Sequence, residues 1–146
     1  ARDNNVAVLA ISDITKAAYS DAVKSGNLNM SALRESFKIA HAADVVMLLQ
    51  TGKVEKALTS KKGESVEKID QLELLQRSYA DNLDRQVALS NVRSSYPLDD
   101  SKKACYARLS VLKNRSGMSG DVLFIYEKAI HRFVPVNLEV TFDEEE

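Results

Sequence analysis

Two cations one residue apart, Lys113 and Arg115, sit in "SVLKNRSGMSGDVLFIYEKAIHRF" (110–133), just ahead of a Gly-x-x-Gly turn between two apolar runs. Cations there serve one of two ends. A plain surface hairpin carries them as solvated charge, whereas a site for an anionic group needs both on one face of a strand. Period-two alternation places residues 113 and 115 on the same face. Other residues with chemical potential are few. Cys105 is the single cysteine, so no intramolecular disulfide forms and a reducing compartment fits. Its neighbourhood, "ACYARLSVL", is apolar and marks a core thiol rather than a nucleophile. His41 and His131 are far apart in sequence with no cysteine at ligand spacing, which argues against structural zinc.

The elements that must position these residues follow from the apolar pattern. The chain has 146 residues, 45% of them hydrophobic, which suits one domain spanning 1–146. Its formal net charge of -1 offers no bulk basic field, so any phosphate contact must be a local arrangement. No apolar run approaches the roughly 18–20 residues that cross a bilayer. The start, "ARDNNVAVLAIS", is too short in its apolar part and too acidic in its flank for a signal peptide, so a cytoplasmic location is expected. "VAVLAIS" (6–12) and "VVMLLQTG" (45–52) read as strands buried on both faces. Between them, "DITKAAYSDAVKSG" and "NMSALRESFKIAHAAD" read as helices, with Gly26 as a C-cap and Ser31 as an N-cap. A strand–helix–strand unit of this kind implies a right-handed parallel crossover. Asp44 stands directly before the second strand and is read as positioning the helix-to-strand turn.

Residues 53–103 are charged and read as a helical insertion. From Val66 through Ile69, Leu72, Leu75, Tyr79, Leu83 and Val87 to Val92, spacings of three to five trace one face of a helix or broken helix. That face suits docking on the domain or on a protein partner through residues 64–96. "KACYARLSVLK" and "DVLFIYEK" then pair as a hairpin, "AIHRFVPV" follows as an edge strand, and the acidic tail is solvated. Phe133 reads as core. The fold class is α/β, a partial sheet with parallel strands turning antiparallel at a C-terminal hairpin.

Three blocks resemble the C-terminal half of a RecA-like ATPase core, nearest to hexameric replicative DNA helicases of the DnaB type. "VAVLAISDIT" (6–15) resembles the strand after the Walker B segment. "SALRESFKIAHAADVVMLL" (31–49) is similar to the family's S-x-L-R-E-S helix and following strand. "SVLKNRSGMSGDVLFIYEKAIHRF" resembles its closing K-x-R-N-G-x-x-G hairpin with a later Arg-Phe. The blocks occur in family order and their strand and helix phases agree.

The resemblance implies a nucleotide-dependent DNA helicase that uses ATP and Mg in the intact protein and works as a homo-oligomeric ring on single-stranded DNA. It implies that Arg115 acts as a trans-acting arginine finger, with Lys113 beside it, on a nucleotide held by the neighbouring protomer. Arg132 would lie near the nucleotide base, and Asp13 stands where the family carries a glutamine that senses the γ-phosphate. A carboxylate there repels phosphate and is unfavourable for coupling. Lys16, Lys24, Ser25, Gly26, Asn27 and Asn29 fall where the family has its central DNA-binding loop. No Gly-x-x-x-x-Gly-Lys-Ser/Thr occurs, and Gly52-Lys53 lacks the preceding glycine, so this chain alone is expected neither to bind ATP well nor to hydrolyse it. It is expected to be a piece of a longer protein or a degenerate relative, and a bare sheet edge would favour self-pairing. Two other readings stay open: a non-catalytic RecA-like interaction module, and a KaiC- or RadA-like regulatory or recombination ATPase.

Overall fold

The computed structural model describes residues 5–14, 37–58 and 65–138. In chain order the elements are helix α1 (Phe37–Ala42), strands β1 (Val45–Thr51), β2 (Val54–Leu58) and β3 (Ser65–Ile69), helices α2 (Gln71–Ser78), α3 (Leu83–Ser90) and α4 (Val92–Ser95), and strands β4 (Ala104–Asn114), β5 (Gly120–Glu127) and β6 (Arg132–Pro135). Single 3-10 turns, Asp100–Lys102 and Lys128–Ile130, lead into β4 and β6. Strands β1, β4, β5 and β6 lie side by side in that order, and β2 pairs with β3 in a separate ribbon.

Every strand pairing among the described residues is antiparallel. The expected parallel crossover is not seen among the described residues. Residues 6–12 form no strand, and their apolar side chains are exposed, Ile11 at 92%. β1 instead runs antiparallel to β4, from Val45 opposite Asn114 to Thr51 opposite Ala107. β1 is also buried on one face only: Val46, Leu48 and Gln50 point inward while Val45, Met47 and Leu49 are exposed. A continuous apolar run suits a strand covered on both faces, but it is equally compatible with one face left open. The run itself does not say which.

The inner face of the sheet carries the core. Tyr106 on β4 and Leu123 and Ile125 on β5 pack against Leu72 and Leu75 of α2, Leu89 of α3, Val92 of α4 and Val136. Helix α2 starts where Asp70 accepts a hydrogen bond from the Glu73 amide at 2.9 Å, a side-chain cap worth about 1 kcal/mol. Its leucines at 72 and 75 then meet the sheet one turn apart. The expected helical stripe is broken. Asn82 caps α3 anew through the Arg85 amide at 3.0 Å, and the turn this creates leaves Leu83 and Val87 exposed. The first part of the stripe, Ser65–Ile69, is strand β3, paired with β2 from Val54 opposite Ile69 to Leu58 opposite Ser65. Val54, Ile69 and Leu74 form a small core of their own under this ribbon. The described residues of 53–103 are therefore a β-ribbon followed by three short helices and a 3-10 turn rather than helical throughout.

One glycine is required by backbone geometry. Gly52, at φ 77°, ends β1 in the left-handed region; its amide bonds the Tyr106 carbonyl at 3.1 Å and its carbonyl accepts from Gln71 Nε2 at 3.2 Å. Gly117 lies in the hairpin turn, where a Cβ would come 2.6 Å from Asn114 Nδ2, so that this side chain would have to shift.

Candidate functional site

Lys113 and Arg115 lie at the mouth of the β4–β5 hairpin, and a bulge decides where they point. Val46 is opposite Lys113, but Met47 is opposite Val111, so Leu112 has no partner across β1. Plain alternation along β4 would put Lys113 on the outer face with Val111 and Leu109. The extra residue reverses the phase, so that Lys113 shares the inner face with Val46. Re-aiming a side chain is a recurrent use of bulges.

On that face Lys113 Nζ donates to the carbonyls of Ala40 (3.2 Å) and His41 (2.8 Å), near the end of α1. Carbonyl oxygens at a helix C-terminus carry partial negative charge and attract a cation without neutralising it. Arg115 continues the ladder by one step. Its amide donates to the Asp44 carbonyl at 2.9 Å, and its Nη1 donates to Asp44 Oδ1 at 2.7 Å. Both cations thus grip the stretch from Ala40 to Asp44, as the same-face expectation requires. The Arg115 side chain keeps 48% of its surface in solvent. The turn beyond is closed by Asn114, whose Nδ2 donates to the Met118 carbonyl at 3.3 Å.

Of the remaining candidates, Arg132 lies apart from this pair. Asp13 is exposed and forms no ion pair among the described residues. Lys16, Lys24, Ser25, Gly26, Asn27 and Asn29 lie outside the described residues. Arg132 is at the other end of the sheet, where its Nε donates to Glu127 Oε2 at 2.5 Å; Lys102 is 3.1 Å from the second oxygen of the same carboxylate. Arg132 foremost, then Lys102, holds the buried Glu127 carboxyl below the usual glutamate range. Phe133 is not core: it lies on the outer face, stacked on Tyr126 with ring centroids 4.4 Å apart and edge-on to Phe124. Tyr126 OH and His131 Nδ1 are 3.3 Å apart.

Sequence reasoning missed a buried polar cluster on the inner face. Arg108 is 3% exposed; its Nη2 donates to Gln50 Oε1 at 2.8 Å and its Nε has no partner. Asp121 accepts from Ser110 Oγ at 2.5 Å and from Tyr79 OH at 3.2 Å. Burial pulls the Arg108 guanidinium below its ordinary range, opposed by Asp121, and burial pushes the Tyr79 hydroxyl up. The Arg85 guanidinium covers the Tyr79 ring at 4.3 Å. The signal was present: Arg108 and Ser110 alternate with apolar residues on the face that also carries Tyr106. Among the described residues no helix is long and apolar enough to span a membrane, and no three His, Cys, Asp or Glu gather as metal ligands.

A family model described as the DnaB-like helicase C terminal domain matches residues 1–135, a span that takes in every candidate above. No curated protein and no solved structure matches the chain.

Proposed function

The chain belongs to the DnaB-like helicase C-terminal domain family, and on that premise we propose that it forms the C-terminal part of an ATP-dependent replicative helicase motor, offering Lys113 and Arg115 to a nucleotide held by a neighbouring protomer. The observation that carries this reading is the pairing of the two cations. A bulge and one extra ladder step bring both to the same side of the hairpin mouth, with Arg115 half exposed.

The residues present fit a nucleotide from outside rather than as its holder. The chain has no glycine-rich loop ahead of a helix to cradle a β-phosphate. It does have a planar guanidinium fork and an ammonium, the two donors suited to phosphate oxygens. Bound Mg-ATP supplies the phosphoryl group whose transfer drives the motor. Arg115 stabilises the negative charge that develops on its oxygens, and Lys113 adds a point charge beside it. Because nucleotide and finger lie on different protomers, the reading requires a homo-oligomer. Residues 16–29, with Lys16 and Lys24, supply the contact to single-stranded DNA.

In the protein that carries this chain together with its nucleotide-binding half, Arg115→Ala is expected to cut DNA-stimulated ATP hydrolysis by roughly 10³-fold or more. Binding of a fluorescent ATP analogue should stay near the wild-type level. Unchanged turnover rejects the assignment.

One observation favours a second reading, a protein-interaction module. Helix α3 leaves Leu83 and Val87 exposed, and the outer sheet face adds Val45, Met47 and Leu49. Apolar surface of this kind suits a protein partner. On this reading the Arg115 substitution leaves turnover intact, whereas Leu83→Ser weakens a partner complex.

A further inference from the structure

We infer that Asp44 is the positioning residue of Arg115, holding its guanidinium in the orientation from which it reaches a neighbour's phosphate; the inference rests on the motor reading above. The pair is set by register, not by chance proximity of two surface side chains. Val45 lies opposite Asn114, and the Arg115 amide bond to the Asp44 carbonyl makes Asp44 and Arg115 the next cross-strand pair. Opposite charges directly across a ladder attract, and here Nη1 and Oδ1 are 2.7 Å apart. The two residues are 71 positions apart in sequence, so their meeting depends on the bulge that sets this register.

The contact does what positioning needs and no more. An arginine side chain carries roughly 2 kcal/mol of rotamer entropy, which a free finger would lose on docking. One carboxylate contact restricts that search in advance. It engages Nη1 and leaves the other guanidinium donors for a phosphate. Asp44 is itself exposed, with 70% of its side-chain surface in solvent, so the pair is screened and exchanges readily. Lys113 is oriented by carbonyls instead of a carboxylate, so the site retains net positive charge.

The test measures steady-state DNA-stimulated ATP hydrolysis by the complete protein, with Asp44→Asn, Asp44→Glu, Arg115→Ala and the double variant Asp44→Asn/Arg115→Ala. Asp44→Asn keeps the shape and the backbone carbonyl bond and removes only the charge; its thermal unfolding midpoint and oligomeric state are checked against the wild type. The expected result is a fall in kcat of about tenfold with KM nearly unchanged, and recovery to within about threefold of wild type in Asp44→Glu. The double variant should be no slower than Arg115→Ala alone, because a residue acting only through Arg115 has nothing left to position. Wild-type turnover in Asp44→Asn, or multiplicative losses in the double variant, overturns the positioning role while leaving the finger in place. Wild-type turnover in Arg115→Ala overturns both.

Discussion

At Lys113 the outcome turns on Leu112, the bulged residue without a partner across β1. Remove that extra residue from the ladder and Lys113 returns to the outer face, away from the Ala40 and His41 carbonyls. Arg115 would leave Asp44 with it. The same scale governs Arg108, a buried cation whose near charge is Asp121. Taking a charge out of water is costly, and replacing a buried pair of charges by apolar side chains of similar volume is often neutral or stabilising. Removing only the countercharge is worse, because the buried cation is left uncompensated. Urea unfolding should therefore show the double variant Arg108→Met/Asp121→Leu within about 1 kcal/mol of wild type or above it, and Asp121→Ala alone destabilised by about 2–4 kcal/mol. Equal losses in both variants would mean that Arg108 is held by packing alone.

Among the elements, the end of β1 is the most constrained. Gly52 turns the chain from the four-stranded sheet into the β2–β3 ribbon, with its amide on Tyr106 and its carbonyl on Gln71, the buried first residue of α2. Its φ of 77° is open to glycine and strained for residues with a Cβ. Gly120, by contrast, opens β5 in free space, and a Cβ added there would meet nothing within 4 Å. Thermal or chemical unfolding should find Gly52→Ala destabilised by about 1–2 kcal/mol and Gly120→Ala near neutral. A neutral Gly52→Ala would show that the turn relaxes, and that the ribbon is not fastened to the sheet through it. The two positive-φ residues before β4 and β6, Lys103 and His131, end the 3-10 turns in the same left-handed conformation.

For the whole molecule, the two faces of the sheet differ. Helices α2, α3 and α4 cover the inner face, while the outer face leaves Val45, Met47, Leu49, Val122 and Phe133 exposed. The 6–12 segment adds exposed Val6, Val8, Leu9 and Ile11. Apolar surface gathered like this favours association, and among the described residues β1 is an edge of the four-stranded sheet, a place where another strand can pair. The isolated chain is expected to self-associate with rising concentration in sedimentation velocity. Leu49→Lys, which puts a charge at the centre of the outer face of β1, should shift it toward the monomer. A concentration-independent monomer would show that neither this face nor this edge associates.

Much of the local structure was legible in sequence: the β4–β5 hairpin, the strand at 45–51, the inward leucines at 72 and 75, and the resemblance that the family match bears out. These depend on short-range pattern, in which turn residues and the spacing of apolar side chains express backbone preference directly. The antiparallel course of β1, the strand at 65–69, the exposure of residues 6–12 and the outward place of Phe133 were not legible. An apolar run has the same composition whether one face or both are covered, and the choice of partner strand rests on residues far away in the chain. The site divides in the same way. Types and spacing marked Lys113 and Arg115 as cations at a turn. Only the tertiary register, shifted by one bulged residue, aimed both at the Ala40–Asp44 stretch and set a carboxylate against the arginine.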